Sequence, residues 1–192
     1  MKAKLFTVAV ASTLFFAACK HAPTEQTMKD IAAFETKWTE MSTKATGLGT
    51  DLQTAFDACN KTCEQTAAVA TEGLKEEAKT TFDAAVSGCK ADKTTFEELK
   101  KNWDAEGATW AEVQTQFTDL KEKATKGTIT NDEATKLLAE LNTKLDAGNK
   151  GLDEWAAKVT AAKETCTKNC TTVSECCKKI EEEAAAKGAK KK

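Results

Sequence analysis

Residues 138–159 read LAELNTKLDAGNKGLDEWAAKV. Leu138, Leu145, Leu152 and Val159 fall seven apart, with Leu141 and Trp155 at companion positions. An apolar repeat of seven places one stripe along an α-helix and implies coiled-coil-like packing. The stripe continues through Cys166, Val173 and Ile180, accompanied by Ala162 and Cys176. Gly148 and Gly151 interrupt it, and each glycine in a helix costs about 1 kcal/mol against alanine. The register nevertheless passes unbroken from Leu145 to Leu152, so the spacing predicts a continuous or kinked helix here, not a loop.

Working outward, the same period appears upstream. Phe82, Cys89, Phe96, Trp103, Trp110 and Phe117 are each seven apart, with Ala85, Leu99, Val113 and Leu120 as companions. Before them, Ile31, Phe34, Trp38, Met41, Ala45, Leu48 and Leu52 alternate at three and four, and Ala55, Phe56 and Cys59 continue the stripe. Gly47, Gly49 and Gly107 lie inside these patterns and are read as tolerated within helices. Gly73 and Gly127 fall between the patterns, and Thr130-Asn131-Asp132-Glu133 has the spacing of a capping box. The expected fold is all-α: an antiparallel up-down-up bundle of three long helices over about 27–70, 74–126 and 131–187. At 1.5 Å rise per residue the rod would be roughly 70–85 Å long. Leu138, Leu145, Leu152, Val159, Phe82, Phe96 and Leu99 are its expected core.

Composition agrees. The 192 residues contain one proline, no tyrosine and no arginine; all 28 basic residues are lysine. Alanine, threonine, lysine and glutamate favour helix over sheet. A formal net charge of −2 with both signs interspersed describes a solvated surface and argues against a nucleic-acid partner.

The N-terminus reads as a targeting segment. Lys2 and Lys4 precede an apolar run from Leu5 to Phe16 that is too short to span a bilayer. It ends in Phe16-Ala17-Ala18-Cys19, which resembles the lipobox of bacterial lipoproteins, although Phe16 stands where leucine is usual. The resemblance covers residues 1–19 only. It implies that 1–18 is a cleaved signal peptide, that Cys19 is lipidated, and that 19–26 holds the anchor and a tether. The chain would then sit in the cell envelope, attached to a membrane by lipid alone. Lys20, in place of an acidic residue after Cys19, points by the same resemblance to the outer membrane. The other reading is an ordinary signal peptide cleaved at Ala18, leaving Cys19 a plain thiol. His21 and Pro23 fall in the tether, and His21 reads as a solvated residue there. Thr27, with Asp30 three residues on, reads as a weak cap for the first helix.

Folding the pattern at its two turns brings the remaining cysteines together. Reflection near residue 73 sets Cys59 beside Cys89; reflection near 128 sets Cys89 beside Cys166 and Cys170. Cys63, Cys176 and Cys177 lie within about two helical turns of that level. The bundle is therefore expected to be cysteine-stapled at one end. Disulfides are the first reading in an exported chain. At least two bridges are expected, at least one between helices, without the i, i+4 partners bridging each other. The candidates join Cys89 or Cys59 to Cys166 or Cys170, and Cys63 to the 170–177 stretch. Seven is odd, so one thiol is left over or links two chains. A second reading is soft-metal binding: paired cysteines on helices resemble bacterial copper-storage proteins, which however use four helices and many more inward cysteines. No resident metal or cofactor is expected on the first reading. The same folding groups Trp38, Trp103, Trp110 and Trp155 near Gly107, Gly148 and Gly151. These read as core, or alternatively as a small-ligand site.

No phosphate loop, Gly-x-Ser-x-Gly, His-Glu-x-x-His or dinucleotide fingerprint occurs, so the chain is read as a non-enzyme. Asp92, at a core position, reads as a local register adjustment or a polar layer. Residues 188–192 read as a basic, disordered tail. With lipid at one end and lysines at the other, the layout resembles the murein lipoprotein, a single short helix. The expected function is that of a helical spacer, or a rod binding an envelope protein or the cell wall.

Overall fold

The computed structural model describes residues 22–67, 71 and 75–189, with side chains through Gln65 in the first helix and Glu182 in the last. Cys19, Gly73 and the lysines at 190–192 lie outside these residues, so the lipobox and the first turn do too. Three helices follow in order: α1 Glu25–Ala67, α2 Glu76–Lys126 and α3 Asn131–Ala189. Each packs against the other two, and the described residues contain no strand. The antiparallel up-down-up bundle of the sequence pattern is the fold.

The core follows the heptads. Ile31, Phe34, Trp38, Met41, Ala45, Leu52 and Cys59 are buried along α1, as are Phe82, Phe96, Val113, Phe117 and Leu120 along α2. Leu138, Leu145, Leu152, Val159 and Val173 complete it from α3. Leu99 is only half-buried, because it lies against the core from one side. The helices of 43, 51 and 59 residues correspond to about 64, 76 and 88 Å. Gly47, Gly49, Gly107, Gly148 and Gly151 all lie within continuous helix.

The α2–α3 turn is built as its residues require. Gly127 takes φ 65°, the left-handed conformation that glycine adopts without penalty. Its N–H donates to the Ala124 carbonyl, and Thr128 N–H to that of Lys123. Thr130 then caps α3: its Oγ1 accepts from Glu133 N–H at 3.3 Å, and Glu133 Oε2 accepts from Thr130 N–H at 3.1 Å. This reciprocal box holds the Glu133 carboxyl below the usual carboxylate range.

The start of α1 differs from expectation. Thr24, not Thr27, is the cap, its Oγ1 accepting from Thr27 N–H at 3.2 Å. The helix therefore begins at Glu25, two residues early. Thr27 is buried in the first turn and donates to Asn131 Oδ1 at 2.6 Å. Asn131 Oδ1 also accepts from Thr24 N–H at 3.0 Å, clamping the start of α1 to the start of α3. At the other terminus α3 extends to Ala189, past the expected boundary at 187 and into the segment read as a disordered tail. The strong helix formers Ala184–Ala186 outweigh the single Gly188 there.

Ion pairs tie the outer faces. Lys44 meets Asp153 across α1 and α3 at 2.6 Å, and Lys121 meets Glu35 across α2 and α1 at 2.5 Å. Exposed pairs of this kind contribute well under about 1 kcal/mol each, so the buried stripe carries the fold.

Candidate functional site: a layer of cysteine sulfurs

Cysteine occupies successive inward positions where the three helices approach the α1–α2 end. α1 supplies Cys59 and Cys63, α2 supplies Cys89, and α3 supplies Cys166 and Cys170. The pairs on α1 and α3 are each four residues apart, so both sulfurs of a pair lie on one face. α1 and α3 run parallel, and Cys59 to Cys166 spans 107 positions. Cys63 to Cys170 spans the same 107, one helical turn further on.

Cys59 and Cys166 form a disulfide with Cα atoms 6.2 Å apart, joining different helices as expected. Cys166 and Cys170, the i, i+4 partners, do not bridge; their sulfurs are 3.5 Å apart. The expectation of at least two bridges is not met among the described residues, where Cys59–Cys166 is the disulfide. Instead, Cys63 Sγ donates to the Cys89 carbonyl oxygen at 3.1 Å. The fully buried Cys89 side chain is within hydrogen-bonding reach of those of Cys63 and Cys170. Cys176 and Cys177 lie further along α3 as half-buried free thiols beside Ile180 and Phe82.

Burial sets the thiol chemistry. Desolvation, reinforced by the neighbouring Cys170 and Cys63, pushes the Cys89 thiol up to about 12. Burial, and then Cys170, also raises Cys63, and burial with Cys176 and Glu181 beside it raises Cys177. The thiolate is the nucleophile, so these three are poorly reactive at neutral pH.

Two polar residues stand at this level. Asp92 is 7% exposed and accepts a 2.8 Å hydrogen bond from Asn169 Nδ2. It forms a polar layer between α2 and α3 through an amide. Gly88 lies against the same amide: a Cβ there would be 2.7 Å from Asn169 Nδ2. Neither Asn169 nor Gly88 was marked by the heptad pattern, because neither occupies an apolar position. Their signal was Asp92 itself, a buried acid that demands a donor.

At the tryptophan level Trp38 and Trp155 are buried in the core, and Trp103 and Trp110 are half-buried against it. Trp103 makes edge contacts with Trp110 and Trp155 at centroid distances of 5.2 and 5.5 Å. Trp38 is separate, its ring 6.3 Å from that of Phe34. Gly49 and Gly148 make room, a Cβ on the first lying 3.0 Å from Trp103 Nε1 and on the second 2.9 Å from Met41 Sδ. Gly107 and Gly151, expected in that role, face open space. A groove of about 540 Å³ runs along the surface beside Trp155, between α2 and α3.

Comparison with protein-family models, with curated proteins and with solved structures returns no match. The class defined here is that of a long three-helix bundle with a sulfur layer across its core.

Proposed function

We propose that this chain is a non-enzymatic, lipid-anchored rod of the bacterial cell envelope, holding a cysteine-rich end away from the membrane to meet a protein or cell-wall partner. The observation that carries the reading is the polarity of the bundle. The start of α1 is clamped to the α2–α3 turn end through Asn131. Cys59, 34 residues into α1, stands about 50 Å further along the axis. An anchor at Cys19, six residues before α1, attaches the base and leaves the sulfur layer and the α3 terminus distal. Among the described residues no helix is long and apolar enough to cross a membrane, so attachment rests on acyl chains, of which more than one is needed for stable anchoring. The lipobox-like residues Phe16–Cys19 and the following Lys20 support the outer membrane as the site.

The experiment is fractionation of cells expressing wild type and Cys19→Ser. Wild type is expected in the outer-membrane fraction and to incorporate labelled palmitate. Cys19→Ser is expected in the soluble envelope fraction. Continued membrane association of Cys19→Ser refutes the lipid anchor. A small-angle scattering profile of that variant with a maximum dimension far below about 85 Å refutes the rod.

A further inference from the structure

We propose that Cys59, Cys166 and Cys170 form a binding site for a soft monovalent cation of the Cu(I) type, opened when the Cys59–Cys166 disulfide is reduced. The three sulfurs lie within 4.8 Å of one another. An ion bound trigonally with metal–sulfur distances of about 2.3 Å spaces its ligands about 4 Å apart; the Cys166 and Cys170 sulfurs already stand 3.5 Å apart, and reduction frees the bonded Cys59 and Cys166 sulfurs to separate to that spacing. Among the described residues no imidazole or carboxylate joins the group. A donor set of sulfur alone selects a soft ion. Three donors suit the low coordination of Cu(I) better than zinc, whose structural sites take four.

The site is built into the core. Cys59 and Cys166 are buried between α1 and α3, and Cys170, half-buried, gives access from the surface. Cys170 carries a free thiol 3.5 Å from the Cys166 sulfur. It lies too close to be unaffected by the bridge, and the bridge leaves it a single donor. Cys63 and Cys89 pack in the same cluster as Cys170.

The chemistry balances in two steps. A dithiol reductant gives two electrons and two protons to the Cys59–Cys166 bond, becoming a disulfide itself and leaving two thiols. The cation then replaces thiol protons, two for a linear two-sulfur complex or three for a trigonal one. The same sulfurs serve as a covalent staple when oxidised and as ligands when reduced. The site does not depend on the lipid anchor.

The test uses the purified full-length protein in two forms, bridge intact and fully reduced, the reductant removed without air. Each is titrated with Cu(I) against the chromophoric chelator bicinchoninate, with helix content checked by circular dichroism. Reduced wild type is expected to take at least one equivalent from the chelator, and the bridged form to bind at least tenfold more weakly. Cys170→Ser, in the reduced form and with helix content unchanged, is expected to weaken binding at least tenfold. Reduced Cys176→Ser/Cys177→Ser is expected to bind as wild type does. Failure of the reduced protein to compete overturns the site. So does equal uptake by the bridged form, or loss of binding in Cys176→Ser/Cys177→Ser with Cys170→Ser unaffected.

Discussion

Breaking the Cys59–Cys166 bridge tests the bundle most directly. The bridge closes a loop of 107 residues, comprising the end of α1, all of α2 and most of α3. Closing a loop of that length in the denatured chain costs it about 16 cal/mol/K, or about 4.8 kcal/mol at 25 °C. For a chain of this size each kcal/mol moves Tm by about 2–4 °C, so reduction or Cys59→Ser is expected to lower Tm by about 10–20 °C. The helix should persist at 25 °C, because the core from Ile31 to Leu152 lies below the bridge and contains no sulfur cross-link. Thermal melts followed by far-ultraviolet circular dichroism, with the thiol count checked by mass spectrometry, measure both effects. A fall of less than about 3 °C on verified reduction refutes the loop-entropy argument. Loss of helix at 25 °C refutes the claim that the apolar stripe carries the fold.

Phe96→Ala removes a fully buried ring between the helices and is expected to cost about 3–5 kcal/mol, read as a shifted denaturant midpoint. Gly88→Ala should destabilise by about 1 kcal/mol despite the helical preference for alanine, because the added Cβ displaces the Asn169 amide and leaves buried Asp92 without its donor; equal or greater stability in urea contradicts this. Thr130→Ala is expected to cost about 1 kcal/mol and to raise the Glu133 pKa, measured by NMR titration. The folded Glu133 pKa lies below its unfolded value, so the stability it contributes is present above the unfolded pKa and is lost as pH falls through the folded one. Cys89 shows the opposite sign: with its pKa raised to about 12, its contribution is complete below the unfolded thiol pKa of about 8.5 and declines as pH rises toward 12, and native Cys89 should resist alkylation at pH 8 while unfolded protein reacts.

The architecture was legible because helical bundles write their packing into a single period. Leu138, Leu145, Leu152 and Val159 announced α3, and Gly127 with Thr130 and Glu133 located its turn from chain-local chemistry alone. Folding at the turns even brought Cys59 to Cys166, since a uniform rise converts sequence distance into height. What the pattern missed depends on directions rather than heights. Two threonines near the start of α1 could have capped it; which one does is decided by Asn131, 104 residues from Thr27. Reflection placed Cys63 within about two turns of Cys89 and matched it to the 170–177 stretch, but rotation about the helix axis gives Cys63 the Cys89 carbonyl oxygen as a partner. The indole cluster was grouped by height in the same way, and Trp38 left it for Phe34. Gly88 and Asn169 carried no apolar signal, and their pairing needs the interhelical distance.

The parallel course of α1 and α3 has a mechanical consequence. Suppose tension runs from the N-terminal base to the C-terminal tip. With the bridge closed, force passes up α1 to Cys59, across the sulfur bond and along α3 from Cys166. α2 and the turn at Gly127 lie outside that path. The 107 residues between the two cysteines would otherwise extend to about 360 Å; while the bond is intact they remain slack and folded. α1 up to Cys59 and α3 beyond Cys166 are then loaded one after the other, each along its own axis. The bond thereby sets the reach of the molecule under load, a short tether when oxidised and a long one when reduced.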